Sequence, residues 1–214
     1  MLANVGNGCG THTVAKREPK LKLPLAPIPD LTAWFKAKKV RGVIIGGVAV
    51  AFLGRPRTTR DVDAVVLLPE ERWREFLKAG ADYGFVPRFK DTLEFAHRAR
   101  MLLVRHKSSG IEVDISLGNV PFEEELLARS STLRVRGLAL PLPSAEDLFI
   151  LKLISDRPVD RMDLEGLLDS NPRMDLSYVR NWVRKLADAM DTPELNTTLE
   201  KTLARRKQPK RKSN

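Results

Sequence analysis

The chain of 214 residues carries 37 Lys and Arg against 27 Asp and Glu, which gives a formal net charge of +10. An apolar fraction of 43% is enough for one domain with a buried core and excludes a chain that is disordered throughout. The single cysteine, Cys9, excludes an internal disulfide and indicates a reducing compartment. No apolar run reaches transmembrane length and the N-terminus lacks the apolar core of a signal peptide, so we expect a cytoplasmic protein with no membrane partner.

The positive charge, which by itself is typical of a nucleic-acid-binding protein, lies at the two ends of the chain. Residues 201–214 contain seven basic residues and no acid, and residues 1–23 have a net charge of +3. Residues 24–200 contain 26 basic and 26 acidic residues. We interpret residues 1–28 as an extension without regular structure and residues 205–214 as a basic tail. Such a tail can hold a polyanion by charge alone.

Between the extension and residue 140 the pattern alternates helices and strands. A helix is predicted from Asp30, interpreted as its N-cap, and another from residue 70 to about residue 80. A helix over residues 48–53 follows the first buried strand and ends at Gly54. Apolar or alternating runs predict the strands, which lie at residues 43–45, 62–68, about 85, 95–104 and 111–117.

Beyond residue 140 the pattern is helical. The proline-rich residues 140–143 mark the boundary between a core domain, 29–140, and a helical domain, 141–204. Ser144 begins a helix with a sequence similar to a capping box, and amphipathic helices follow over residues 175–190 and after Pro193. The sequence therefore predicts an α/β, or α+β, chain that ends in a helical segment.

The segment IIGGVAVAFLGRPRTTRDVDAVV, residues 44–66, places two glycines before a helix and two acids before a strand. At Gly46 and Gly47 the missing Cβ atoms would let backbone N–H groups approach phosphate oxygens, although a Gly-Gly pair often only makes a turn. Asp61 and Asp63 are two residues apart, so both side chains face the same way. Such a pair binds a hard cation such as Mg²⁺, or is simply a solvated strand end.

A third acid occurs in the strand over residues 111–117, where Glu112 and Asp114 share one face. If this strand lies next to the strand of Asp63, Asp114 completes a cluster of three carboxylates. Such a cluster can hold two metal ions for an in-line phosphoryl displacement. Glu112 is the competing ligand, and we interpret it as a solvated neighbour.

These motifs together resemble the DNA polymerase β-type nucleotidyltransferase superfamily, and more narrowly its AbiEii/MenT-type bacterial members, which are toxins of toxin–antitoxin pairs. In that family a Gly-Gly or Gly-Ser pair leads to an R-x-T-x-D-x-D element, which here is RTTRDVD at residues 57–63. Residues 144–168, SAEDLFILKLISDRPVDRMDLEGLL, are similar to the helical segment of the family, with a Lys, an Arg and two acids at Lys152, Arg157, Asp160 and Asp163. The resemblance covers roughly residues 40–170 and implies a mixed β-sheet flanked by helices.

The resemblance implies a catalytic and metal-binding set consisting of Asp61, Asp63 and Asp114, with Mg²⁺ or Mn²⁺ as the ion. It implies a nucleotide-binding set consisting of Gly46, Gly47, Arg57, Thr59, Lys152, Arg157 and Asp160. Each member also has a structural interpretation. Lys152 binds a phosphate or extends to solvent, and Arg57 binds the triphosphate or pairs with Asp61. Arg157, Asp160 and Asp163 contact the nucleotide or form an ion-pair network between helices.

The resulting hypothesis is a metal-dependent nucleotidyltransferase that transfers NMP from an NTP to a hydroxyl acceptor and releases pyrophosphate. By resemblance the acceptor is RNA, in particular a tRNA 3′ end, and the protein is a toxin whose partner is a cognate antitoxin. One alternative keeps the chemistry and replaces RNA by a small molecule or a protein side chain. Another is a module that binds nucleotide or RNA without catalysis.

Overall fold

The structure is a computed structural model, and it describes residues 22–206. The predicted extension up to residue 21, Cys9 and the tail beyond residue 206 lie outside the described residues. The helices are α1 (Ile28–Ala37), α2 (Gly46–Leu53), α3 (Trp73–Ala79), α4 (Thr92–Ala99), α5 (Pro121–Ala128), α6 (Ala145–Ser155), α7 (Pro158–Ser170), α8 (Leu176–Ala189) and α9 (Glu194–Arg206). The strands are β1 (Gly42–Ile45), β2 (Val62–Leu67), β3 (Phe85–Pro87), β4 (Met101–His106), β5 (Glu112–Gly118), β6 (Ser131–Val135) and β7 (Leu138–Leu142).

A mixed sheet of five strands, in the order β1–β2–β5–β4–β3, forms the centre of the fold. Strands β2 and β5 pair in parallel, and the other neighbours pair antiparallel. The parallel register places Val62 opposite Val113 and Asp63 opposite Asp114. The predicted adjacency of the two acidic strands is therefore confirmed.

The core contains the apolar side chains of the sheet and of the helices around it. Every second residue of β5 is buried through Leu117, as its alternation predicts, and in β2 the apolar residues Val62 and 64–66 are buried, as in a central strand. On the α1 side, Trp34 stacks on Phe76 with a ring-centroid distance of 4.3 Å and on Phe85 at 5.3 Å. Its indole N–H donates to the Phe76 carbonyl at 3.2 Å, so the buried ring has no unsatisfied donor.

The C-terminal helices pack on the sheet through α2, which both α6 and α7 contact. Helix α6 begins as predicted after Ser144, whose Oγ accepts a hydrogen bond from the Asp147 N–H at 3.1 Å. Its buried side chains, including Phe149 and Ile150, belong to the same apolar cluster as the sheet. Pro141 of the proline-rich segment lies within β7, and the division of the chain into two domains stays a prediction.

The predicted strand over residues 95–104 is wrong in its first half, because α4 extends to Ala99 and β4 begins at Met101. Arg100 ends the helix in the left-handed region with φ 52°. The polar Arg98 and Arg100 are two residues apart, as on one face of a strand, whereas the buried Thr92 and Ala96 are four residues apart, as on one face of a helix. The prediction of Asp30 as the N-cap of α1 is also wrong, because the helix begins at Ile28 and its N-cap is Pro27.

Helix α5 and the β6–β7 hairpin were not predicted, and the hairpin lies outside the main sheet. Among the described residues, no helix is both long and apolar enough to cross a bilayer.

Candidate functional site

Gly46 and Gly47 bring the β1–α2 turn against the acidic segment before β2. Gly46 has φ +62°, and a Cβ there would overlap the carboxylate of Asp63. A Cβ on Gly47 would lie 2.6 Å from Thr59 Oγ1. Both positions therefore require glycine, since any side chain would separate the turn from the carboxylates. The N-terminus of α2, whose first N–H groups have no partner within the helix, consequently borders these acids.

Three carboxylates lie near one another at this turn. Asp63 and Asp114 are opposite residues of parallel strands, and Asp61 lies just before β2. Burial, and after it the charges of Asp61 and Asp114, raise the pKa of Asp63 to about 6. Burial also raises the pKa of Asp114, against the opposing effect of Arg88. The site thus holds negative charge that the neighbouring side chains neutralise only in part.

Arg88, which follows β3, contacts the acids of β5. Its Nη1 donates to Glu112 Oε2 at 2.6 Å, and its Nη2 lies 2.9 Å from Asp114 Oδ1. That second contact is not aligned as a hydrogen bond, and Asp114 Oδ1 is buried without a hydrogen-bond partner. Glu112 also accepts from Arg105 Nη2 at 3.0 Å, and these two arginines, Arg105 first, lower its pKa. Glu112 is therefore a paired neighbour of the site, 44% exposed.

The three aspartates fit a hard divalent cation in their chemistry. They offer carboxylate oxygens, one of which is buried without a hydrogen bond, and their mutual repulsion calls for a cation. As placed, no three His, Cys, Asp or Glu side chains within residues 22–206 converge closely enough to hold a metal. Asp61 Oδ1 accepts from Thr59 Oγ1 at 2.8 Å, and Asp114 is paired with Arg88. The three-carboxylate metal site stays a prediction.

Lys152 is buried in an ion cluster between α6 and α7, and it does not extend to solvent. Its side chain is 4% exposed, and Nζ lies 2.8 Å from Asp160 Oδ1 and 3.0 Å from Asp163 Oδ2. Both carboxylates are buried as well. A buried charge of this kind is tolerated only when it is paired, and here each partner depends on the others.

Two arginines complete the ion cluster. Arg57 donates from Nε and Nη2 to the two oxygens of Asp163, at 2.6 and 2.9 Å, and so does not pair with Asp61. Arg157 donates from Nε to Asp160 Oδ2 at 2.9 Å, and its side chain is 61% exposed. Burial favours the neutral form of Asp160, but hydrogen bonds from Arg157 and Lys152 lower its pKa to about 2.

The ion cluster lies close enough to the three aspartates to act on them. The charges of Lys152 and Arg157 both lower the pKa of Asp63, although burial and the other acids dominate. Arg157, Asp160 and Asp163 thus form the ion-pair network that was one of their two interpretations. Lys152 and Arg57 belong to the same network, and neither makes the contact, with solvent or with Asp61, that was its structural alternative. Sequence reasoning missed Arg88, because only the β3–β4–β5 order brings it to Asp114.

No protein-family model matches this chain, and no curated protein matches it. Among solved structures, it resembles an antigenic nucleotidyltransferase-like protein from Paracoccidioides brasiliensis, with a TM-score of 0.50 and 17% identity over 82% of this chain and 91% of that chain. It also resembles the antibiotic-resistance factor ANT(2'')-Ia, with a TM-score of 0.52 and 14% identity over 78% of this chain and 94% of that chain. At these identities the likeness shows the fold, and the predicted nucleotidyltransferase-type α/β fold is confirmed.

Substitution of Gly46 tests the close approach of the turn to the acids. Gly46→Ala would add a left-handed alanine, at about 1–2 kcal/mol, and a clash with the Asp63 carboxylate. Gly110→Ala is the matched control, because Gly110 has φ +70° and nothing within 4 Å of an added Cβ. Urea unfolding should show a clearly larger loss of stability for Gly46→Ala. Equal losses would mean that the turn does not press on Asp63.

The raised pKa of Asp63 predicts how stability depends on pH in EDTA. The folded protein holds the Asp63 proton up to about pH 6, whereas the unfolded chain releases it near 3.8, so stability falls as pH rises through this window. Asp63→Asn removes this decline and should raise the unfolding free energy at neutral pH by at most about 3 kcal/mol.

Urea unfolding of the wild type and Asp63→Asn at several pH values measures this difference. Asp82→Asn, at an exposed carboxyl in the short 3₁₀ helix between α3 and β3, is the control and should follow the wild-type curve. If the free energy of unfolding of the wild type and that of Asp63→Asn changed with pH in parallel, the raised pKa of Asp63 would be contradicted.

Proposed function

We propose that this protein is a metal-dependent nucleotidyltransferase that transfers NMP from an NTP to a hydroxyl acceptor. The observation that carries the proposal is the pairing of Asp63 with Asp114 beside the Gly46–Gly47 turn, on a nucleotidyltransferase fold. This arrangement combines a carboxylate pair that calls for a cation with a helix N-terminus that accepts phosphate.

Asp61, Asp63 and Asp114 would hold Mg²⁺ or Mn²⁺. The bound ions would neutralise charge on the transferred phosphoryl group and favour ionisation of the attacking hydroxyl. The N–H groups at Gly46 and Gly47 would orient the phosphates. The acceptor oxygen would form a bond to the α-phosphorus as the bond to the leaving pyrophosphate breaks, and Asp114 would take the hydroxyl proton.

The ion cluster of Arg57, Lys152, Arg157, Asp160 and Asp163 would serve the triphosphate. Its three cations and two carboxylates leave one positive charge next to the acids. Arg157 is the member with an exposed guanidinium, so it would contact phosphate directly. Lys152 and Arg57 would act through the buried acids that they pair, and Thr59 would orient Asp61.

RNA is the acceptor class that the surface charge favours. Arg60, directly before Asp61, is exposed and makes no hydrogen bond or ion pair with the described side chains. Further along, α7 and α9 line a cavity of about 230 Å³ with Arg161, Lys201 and Arg205, together with two acids, Asp156 and Glu165. The predicted basic tail begins within the last residues of α9, and its remaining residues, 207–214, include four more Lys or Arg. The exposed Arg60 beside Asp61 and the basic residues at the C-terminal end favour a polyanionic acceptor over a cationic one.

A tRNA 3′ end as the acceptor, and a role as a toxin with a cognate antitoxin, rest on the motif resemblance. A small hydroxylated molecule is the second candidate acceptor, since one structural neighbour is an antibiotic-resistance factor. The unpaired Arg60 favours an acidic or neutral small molecule within that class.

Incubation with each α-labelled NTP, with Mg²⁺ or EDTA, tests the proposed transfer. Total tRNA, protein lysate and small-molecule extract serve as separate acceptors, and the labelled fraction identifies the acceptor class. Asp61→Asn and Asp63→Asn should each lower transfer by roughly 10³-fold, because loss of a metal ligand costs several kcal/mol of transition-state stabilisation. Asp82→Asn is the control and should transfer at the wild-type rate.

Circular dichroism of each variant shows whether its fold is retained. Transfer that persists in EDTA would contradict the metal mechanism, and binding of NTP and RNA without transfer would favour the non-catalytic module.

A further inference from the structure

The guanidinium of Arg88 bridges two carboxylates on one face of β5. Its Nη1 donates to Glu112 at 2.6 Å, while its Nη2 lies 2.9 Å from Asp114 Oδ1. The main chain at Arg88 is fixed, because its N–H donates to the Leu103 carbonyl of β4 at 3.0 Å. The side chain therefore extends across β4 from a backbone position that is fixed. Its rotamer alone decides whether the guanidinium lies closer to Glu112 or to Asp114.

The two contacts differ in kind. The contact with Glu112 is an aligned hydrogen bond to a side chain that is 44% exposed and that Arg105 also holds. The contact with Asp114 is one of charge alone, since the buried Oδ1 accepts no hydrogen bond. A charge-assisted hydrogen bond is the stronger of the two, so Glu112 can retain Arg88 when the contact with Asp114 is lost.

We propose that Arg88 is a positioning residue that competes with the divalent cation for Asp114, and that Glu112 is its alternative partner. This inference rests on the proposed metal site at Asp61, Asp63 and Asp114. Two cations on the same carboxylate repel each other, so a metal ion at Asp114 requires the Arg88 guanidinium to move toward Glu112. Arg88 thereby lowers the affinity of the three aspartates for a divalent ion. Glu112 makes this loss of affinity smaller, because it binds the guanidinium that the ion displaces.

The proposal accounts for an otherwise unexplained arrangement. The three aspartates lie near one another, yet no three acids converge as a ligand set within the described part of the chain. The Arg88 guanidinium lies against Asp114 Oδ1, the buried oxygen that accepts no hydrogen bond. Release of that contact is the local change that would let Asp114 join the other two.

Mn²⁺ binding without nucleotide, measured by electron paramagnetic resonance and by calorimetry, tests the competition independently of catalysis. Arg88→Gln should raise Mn²⁺ affinity by about tenfold, a change typical of one charge at a partly screened site. Arg105→Gln is the matched control, because Arg105 also pairs with Glu112 but makes no contact with Asp114. It should change the affinity by less than about twofold.

A double-mutant cycle then tests the role of Glu112. Glu112→Gln should lower Mn²⁺ affinity several-fold in the wild type, because Arg88 is left with Asp114 alone. In the Arg88→Gln background the same substitution should have little effect. Arg88→Lys retains the charge and should bind Mn²⁺ closer to the wild-type affinity than Arg88→Gln does. Urea unfolding of each variant ensures that only folded proteins are compared.

Equal effects of Arg88→Gln and Arg105→Gln would overturn the inference, because total charge rather than the Asp114 contact would then govern binding. A lower Mn²⁺ affinity in Arg88→Gln would also overturn it. Asp63→Asn separates this failure from a failure of the proposed function. If Asp63→Asn binds Mn²⁺ as the wild type does, the metal site itself is wrong; if it loses binding while Arg88→Gln changes nothing, only the role of Arg88 fails.

Discussion

The parallel pairing of β2 with β5 is the constraint on which the rest of the site depends. It sets Asp63 directly opposite Asp114, with Asp61 just before the strand. The raised pKa of Asp63 expresses first its loss of hydration on burial and then the repulsion by Asp61 and Asp114. Pairing of the apolar residues around them, such as Val62 with Val113, holds the strands in register against this cost.

The surrounding elements place hydrogen-bond donors and positive charges next to these acids. The β1–α2 turn approaches the acids through two glycines and presents a helix N-terminus. Thr59 donates to Asp61, and Arg88 lies against Asp114. The C-terminal helices add Lys152 and Arg157, whose positive charges act on Asp63 from the other side. Because α6 and α7 pack on α2, the same helix that begins at the glycines also positions the cations.

The buried acids of α7 explain how these cations are retained. A lysine buried to 4% exposure would lose its charge without partners, and Asp160 and Asp163 supply them. Arg57 binds Asp163 with two hydrogen bonds, so the loop before β2 is tied to α7 over 106 positions of sequence. The loop, the helical segment and the acids thus form one electrostatic unit, in which removal of one member leaves another charge unpaired.

Local patterns in the sequence predicted the parts of the site, and long-range packing decided how they meet. Alternation in residues 111–117 and the apolar run after Asp61 predicted β5 and β2. Their adjacency was the condition on which the three-carboxylate hypothesis depended, and the parallel pairing meets it. Residues 95–99 do not alternate as a strand would, and the burial of Thr92 and Ala96, one helical turn apart, shows why they belong to a helix. Arg88 was not predictable, because its partner lies 26 positions away on a strand that only the sheet order brings near. Burial of Lys152 likewise depended on α7, which the spacing within α6 does not reveal.

The central claim is that Asp61, Asp63 and Asp114 together hold divalent cations beside the glycine turn. Anomalous diffraction from crystals of the wild-type protein grown with Mn²⁺ and a non-hydrolysable NTP analogue tests it most directly. The account predicts an Mn²⁺ peak within bonding distance of all three carboxylates, with the triphosphate against Gly46 and Gly47. Mn²⁺ bound elsewhere, or an Asp114 carboxylate that makes no contact with the ion, would contradict the account.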